Sequence, residues 1–264
     1  MKIHMLIIDP QYDFCNTKGA LPVAGADQDM VRLGAMINRL RNKIDDIHVT
    51  LDSHQEVHIA HPIWWVNSAG QHPNPFTLIS EDDVVKGVWR TTNPKTQERS
   101  LKYVKTLKDN KRYVLCIWPP HTIIGSIGWT IDAPVMSALG EWCKNRFKKI
   151  DFVTKGSNIW TEHYSAVMAD VIDDEDQGTM MNTKLLDTLA KADVIAVAGE
   201  ARSHCIKNTI IDICNNFGED NIKKFVILED AMSDVGGFEQ FGKDFAIEMQ
   251  KRGAIRSKTT EFFA

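Results

Sequence analysis

The chain has 264 residues, 43% of them apolar and 25% charged, with 16 Gly and 9 Pro. This composition is that of a globular protein and excludes collagen-like, low-complexity and wholly disordered chains. The 31 Lys and Arg against 35 Asp and Glu give a net charge of −4 without a basic tract, which argues against a nucleic-acid partner. Residues 2–9 read as a buried strand, followed by a Gly- and Pro-punctuated loop through Gly25 and a helix over 28–43. Further strands are expected at 47–52, at 113–118 with a helix over 133–147 behind it, and at 150–154. The fifth strand, 193–199, runs straight into a helix over 203–216, and the sixth, 224–229, precedes a helix over 239–252. Strands alternating with helices predict a single three-layer α/β domain around a mostly parallel sheet of about six strands. The run 194–198 lacks polar alternation, as a central strand covered on both faces should.

Between Ser53 and Arg112 the alternation stops, and His54, His58, His61, His72, Trp64, Trp65 and Trp89 crowd into one stretch. A structureless connection of that length is uncommon. It reads as an insertion, over about 55–112, folding across one end of the sheet as a lid. The acidic run 170–177 reads as solvated surface. No apolar run approaches the length of a membrane span, and no signal-peptide core fits before Asp9. Five cysteines without a C-x-x-C pair form neither a disulfide framework nor a zinc finger, so a reducing cytoplasm is expected.

In a parallel α/β sheet, ligands gather beyond the carboxyl ends of the strands. Asp9, Asp52 with His54, Lys155 and Gly199 with Cys205 all fall at such ends, and Trp118-Pro-Pro-His121 follows another expected strand. A cysteine is by default a small buried hydrophobe, and Cys15, Cys116, Cys143 and Cys214 read that way. Cys205 differs because it opens a helix, where free N–H groups and a nearby lysine favour a thiolate. Asp9 beside it suits a general base. Asp52-x-His54 places two metal donors on one face of an extended segment, and either His72 or His121 can be the third.

These residues carry a resemblance. The segment from Leu6 to Phe14 (LIIDPQYDF) with Gly19–Asp27, then His48–His54 (HVTLDSH), Trp118-Pro-Pro-His121, Thr154-Lys-Gly156 with Tyr164-Ser-Ala166, and Gly199–Cys205 (GEARSHC) follow one another in the order found in nicotinamidases. These belong to the isochorismatase-like cysteine hydrolases, whose fold is Rossmann-like. The resemblance implies hydrolysis of nicotinamide to nicotinate and ammonia through a cysteine thioester, in NAD salvage. It implies a catalytic triad of Asp9, Lys155 and Cys205. It also implies an oxyanion hole from the N–H groups of Ala201 and Cys205, with a cis peptide before Ala201. Phe14 and Trp118 match the residues flanking the pyridine ring, and Tyr164 matches a pocket wall. One divalent metal is implied on Asp52, His54 and His121, with a histidine near His58 joining it in some members. Zinc suits one carboxylate and two imidazoles, while manganese or iron suits an octahedral arrangement. The pattern departs from the family at Ser53, at Thr122 and in the length of 59–117. A metal-independent relative acting on isochorismate or a carbamoyl or ureido compound is the alternative enzyme, and a non-enzymatic binding protein the alternative class. The expected partner is a small molecule, with no membrane contact and the homo-oligomeric state left open.

Overall fold

The computed structural model describes residues 1–264, and its elements follow the apolar patterning. Strand β1 (Ile3–Ile8) is buried along its whole length and leads through a short helix α1 (Tyr12–Cys15) to α2 (Ala26–Leu40). In α2 the buried Met30, Leu33, Ile37 and Leu40 recur every three or four residues, so one stripe faces the sheet layer. Strand β2 (Asp46–Asp52) follows. The long segment after it holds β3 (Trp65–Val66), β4 (Leu78–Ile79), α3 (Glu81–Val85), β5 (Arg90–Thr91), α4 (Gln97–Asp109) and β6 (Leu115–Cys116). Then come α5 (Ala133–Arg146), β7 (Asp151–Lys155), α6 (Thr183–Leu189), β8 (Val194–Gly199), α7 (Lys207–Phe217), β9 (Phe225–Leu228), α8 (Glu239–Lys251) and β10 (Ile255–Ser257).

Six strands form one all-parallel sheet in the order β10-β9-β8-β1-β2-β7. The chain leaves β1 in one direction, through β2 to β7, then returns to the other side of β1 at β8. The switch point therefore lies between β1 and β8, where a ligand crevice forms at the carboxyl ends. Register places Asp52 level with Lys155 across β2 and β7, and Ile8 level with Gly199 across β1 and β8.

Two expectations need correction. The run 113–118 does not join the central sheet: Leu115 and Cys116 pair antiparallel with Ile79 and Leu78 of the long segment. The sixth sheet strand is instead β10, three residues at the edge. The acidic run is not simply solvated, because Asp170 is buried with Arg112 Nε 3.6 Å away and Asp173 receives Arg99 and Asn158. Within the long segment, Tyr103 on α4 accepts the Glu162 N–H at 3.1 Å, and the Trp64 indole donates to Ser100. The first of these bonds ties the segment to the loop after β7, and the second braces the segment internally.

Gly199 ends β8 with φ +118°, and a Cβ there would lie 1.9 Å from the Ile8 carbonyl oxygen. No side chain fits between these two central strands at the point where the crevice opens. Strained backbone costs about 1–3 kcal/mol and overpacking about 1–3 kcal/mol more. Gly199→Ala should therefore lower the unfolding free energy by about 2–6 kcal/mol, measured by urea denaturation. A change within error of zero would show that the two strands can part there.

Candidate active site

Three strand ends and one helical turn deliver the reactive groups. Asp9 leaves β1 with φ +43° and is fully buried. Its Oδ1 accepts the Thr50 hydroxyl at 2.5 Å, while its Oδ2 lies 2.9 Å from Lys155 Nζ. The same ammonium is 3.0 Å from Asp52 Oδ1 and 3.6 Å from Cys205 Sγ. Cys205 sits in a π-helical turn, Arg202–Ile206, ahead of α7, and shares the Lys155 ammonium with the Asp9 carboxylate. The structure thus brings Asp9, Lys155 and Cys205 together from positions 50 to 196 apart in the chain.

Burial and charge oppose each other throughout this cluster. Burial works against the Lys155 charge, but Asp52, Asp9 and Cys205 hold its pKa well above the usual lysine range. Burial would also raise the carboxyl of Asp52, yet His54 and Lys155 together hold it well below the ordinary value. For Asp9 the burial effect outweighs Lys155, and the carboxyl is raised. Burial likewise pushes the Cys205 thiol well above its usual range, with Lys155 pulling the other way. Cys205 lies in the first turn of a helical run that continues directly into α7, the helix start the sequence predicts, while burial there works against the thiolate. A thiol whose burial disfavours the thiolate needs a base, and Asp9 is the carboxylate on the other side of the same ammonium.

Asp52 also faces two imidazoles. His54 Nε2 lies 3.0 Å and His121 Nε2 3.5 Å from Asp52 Oδ2. The Nδ1 of His54 is 3.1 Å from the Gly156 carbonyl, and that of His121 is 2.8 Å from the Pro119 carbonyl. A carbonyl only accepts, so each Nδ1 carries a proton, and Nε2 is the nitrogen each imidazole presents to the carboxylate and could offer to a cation. Three buried donors converging in this way fit a divalent cation, and all three ligating atoms lie within 4.8 Å of one another. Gly156, with φ +84°, makes room: a Cβ would stand 2.7 Å from Asp52 Oδ1. His72 is elsewhere, exposed, with Nδ1 on the Trp65 carbonyl at 2.7 Å.

Sequence reasoning gave no role to Glu162 and left His61 unassigned. Glu162, His58 and His54 form a second convergent group that shares His54 with the first. Glu162 Oε1 and His61 Nε2 are sealed from solvent without a hydrogen-bond partner. Of this second group beyond His54, only His58 was indicated in the sequence, through the resemblance.

Phe14, Trp118, Tyr164, Ala201 and Cys205 line a narrow cleft of about 30 Å³ that also reaches Asp52, His121 and Glu162. The Trp118 indole donates to the Tyr164 hydroxyl at 2.9 Å, fixing both rings. The Glu200–Ala201 peptide is cis, and no acceptor in the protein engages the Ala201 N–H. His204, adjacent to the nucleophile candidate, also lines the cleft, with burial lowering its pKa to about 3.

No family model matches the sequence, and no curated protein matches it. Solved structures do match. The yeast nicotinamidase Pnc1p bound to the inhibitor nicotinaldehyde superposes with a TM-score of 0.67 at 16% identity, over 97% of this chain and 99% of that one. The Acinetobacter baumanii nicotinamidase/pyrazinamidase gives 0.62 at 20% identity, over 98% and 97%. The pyrazinamidase of Pyrococcus horikoshii in complex with zinc gives 0.57 at 18%, over 98% and 99%. At these identities the likeness shows a shared fold, that of the nicotinamidases and pyrazinamidases.

Asp13 holds the His121 loop in place. Its Oδ2 accepts the Thr122 N–H at 2.7 Å and its Oδ1 the Ala20 N–H at 2.9 Å. Asp13→Ala leaves both donors without partners, at about 1–3 kcal/mol each. The variant should lose about 2–4 kcal/mol of stability in chemical denaturation. A loss below about 0.5 kcal/mol, the range of an ordinary surface substitution, would show that this carboxylate does not anchor the loop.

Proposed function

We propose that the protein hydrolyses nicotinamide to nicotinate and ammonia, with Cys205 as nucleophile, Asp9 as general base and Lys155 as electrostatic support. The observation that carries this reading is the Lys155 ammonium within 3.6 Å of Asp9, Asp52 and Cys205, at the base of a cleft walled by aromatic side chains. Asp9 takes the thiol proton as the sulfur forms its bond to the carboxamide carbon, and the carbonyl π pair moves onto oxygen. The Ala201 N–H, which has no acceptor in the protein, and the Cys205 N–H are the donors assigned to that oxyanion. Asp9 returns the proton to the amide nitrogen as the carbon–nitrogen bond breaks, and ammonia leaves a thioester. Water, deprotonated by Asp9, then releases nicotinate and the thiol.

Phe14 and Trp118 flank the ring and Tyr164 closes the wall. Asp52, His54 and His121 are the residues that would hold a divalent cation, zinc on this donor set, with manganese or iron as the octahedral alternatives. Such an ion supplies a Lewis acid that a pyridine nitrogen can ligate. A nucleophilic thiol requires a reducing compartment, consistent with a cytoplasmic enzyme of NAD salvage. Residues 55–112 act as the lid of this one catalytic unit.

The test is ammonia release from nicotinamide, pyrazinamide and benzamide, with and without a chelator, on one preparation. Nicotinamide and pyrazinamide should be hydrolysed, and the chelator should abolish turnover. Benzamide has the same carboxamide but no ring nitrogen, and its kcat/KM should fall by as much as about 10⁴–10⁵-fold. Cys205→Ala should leave less than about 1% of the wild-type rate, because it deletes a covalent catalyst. Chelator-resistant turnover with equal rates on benzamide would favour the metal-independent reading. Absence of turnover on all three amides would overturn the assignment.

A further inference from the structure

The amino ends of the strands, on the edge opposite the cleft, enclose a second concavity of about 580 Å³. Its rim carries Lys2, Lys148, Lys149, Lys184 and Lys191, and His4 and His48 lie buried beneath it. Four carboxylates share this edge, and each is already engaged: Asp193 accepts the Lys2 N–H at 2.6 Å. Asp45 accepts the Ile3 N–H at 2.8 Å and lies 3.4 Å from Arg146. Asp46 pairs with Lys148 at 3.0 Å, and Asp151 accepts from His48 Nδ1 at 2.9 Å. His48 in turn meets His4 across 3.1 Å, so the imidazoles and Asp151 form a closed relay. Lys2, Lys149, Lys184 and Lys191 have no carboxylate within 4.0 Å of their ammonium groups.

The five lysines of the lining outnumber its three carboxylates, which gives this concavity a positive field in a chain whose net charge is −4. Ile47 is the single apolar residue of the lining. The site therefore offers nothing on which an aromatic ring could stack, and an anion there is recognised by its charge. One phosphate can meet only part of a ring of four lysines, whereas a chain of phosphates can bridge them.

We propose that this amino-terminal edge binds an oligophosphate anion, gripped by Lys2, Lys149, Lys184 and Lys191, at a site separate from the cleft. The binding does not depend on the reaction assigned to the cleft. Inorganic tripolyphosphate and ATP are the two probes, since they share the phosphate chain and differ in the nucleoside. Isothermal titration of the full chain at low salt should show one saturable tripolyphosphate site. ATP should bind within a few-fold of it, and orthophosphate should bind at least about tenfold more weakly. Raising the salt should weaken all three.

Lys184→Glu with Lys191→Glu should weaken tripolyphosphate binding by at least about tenfold. The equally charge-reversed Lys95→Glu with Lys105→Glu, on the long segment after β2, should leave it within about twofold, because screening confines the effect to nearby charges. The four lysines changed are exposed, so the thermal midpoints should stay close to wild type, and Lys184→Gln with Lys191→Gln serves as the milder pair. No saturable binding by the wild type would overturn the proposal. So would equal loss in both charge-reversed pairs, which would mark a net-charge effect, or ATP binding without tripolyphosphate binding, which would mark recognition of the nucleoside.

Discussion

Lys155 Nζ lies 2.9 Å from Asp9, 3.0 Å from Asp52 and 3.6 Å from Cys205, with its side chain 1% exposed. Two buried carboxylates at the ends of neighbouring strands would repel each other without that ammonium, and a lone buried ammonium would be equally unfavourable. Removing one partner from such a buried cluster generally costs about 3–5 kcal/mol, so each group constrains the position of the others. Asp52 belongs to two sets at once, because one oxygen faces Lys155 and the other faces the imidazoles of His54 and His121. The nucleophile half and the metal-donor half therefore share a carboxylate and cannot be placed independently.

Sheet register is what delivers this arrangement. Asp52 and Lys155 are directly level across β2 and β7, and Asp9 follows β1, which pairs with β2. A slip of one residue in either pairing would turn a charged side chain onto the other face of the sheet. Gly199 ends β8 against Ile8 and starts the turn that carries Cys205 to the same point. The crevice between β1 and β8 is where an open parallel sheet reverses its winding, and the reactive groups stand at its rim. The long segment after β2 contributes less to the sheet than to the loop bearing Glu162, His163 and Tyr164, to which Tyr103 is bonded.

Much of this was legible in the sequence because the reactive residues stand at the ends of apolar runs that read as strands. Asp9, Asp52, Lys155 and Cys205 each follow such a run, so their convergence needed only the parallel topology. The run 113–118 misled because its apolar composition suits either sheet, and only the partner strand Leu78–Ile79 decides between them. β10 escaped notice because three half-exposed edge residues show no periodicity. Asp170 lies in an acidic run that reads as surface, and its burial depends on Arg112, 58 positions earlier in the chain. Glu162 and His61 have no local pattern at all, since their enclosure depends on how the long segment folds across the sheet.

The most direct test of the shared-lysine arrangement is the pH profile of Cys205 alkylation, followed on its own peptide by mass spectrometry, in wild type and in Lys155→Gln. The glutamine keeps an N–H donor, one bond closer to the backbone, and removes the charge. If the ammonium favours the thiolate and organises the carboxylates beside it, the midpoint should move upward in the variant by about one pH unit or more. A midpoint that stays where it is in the wild type would contradict that role for Lys155.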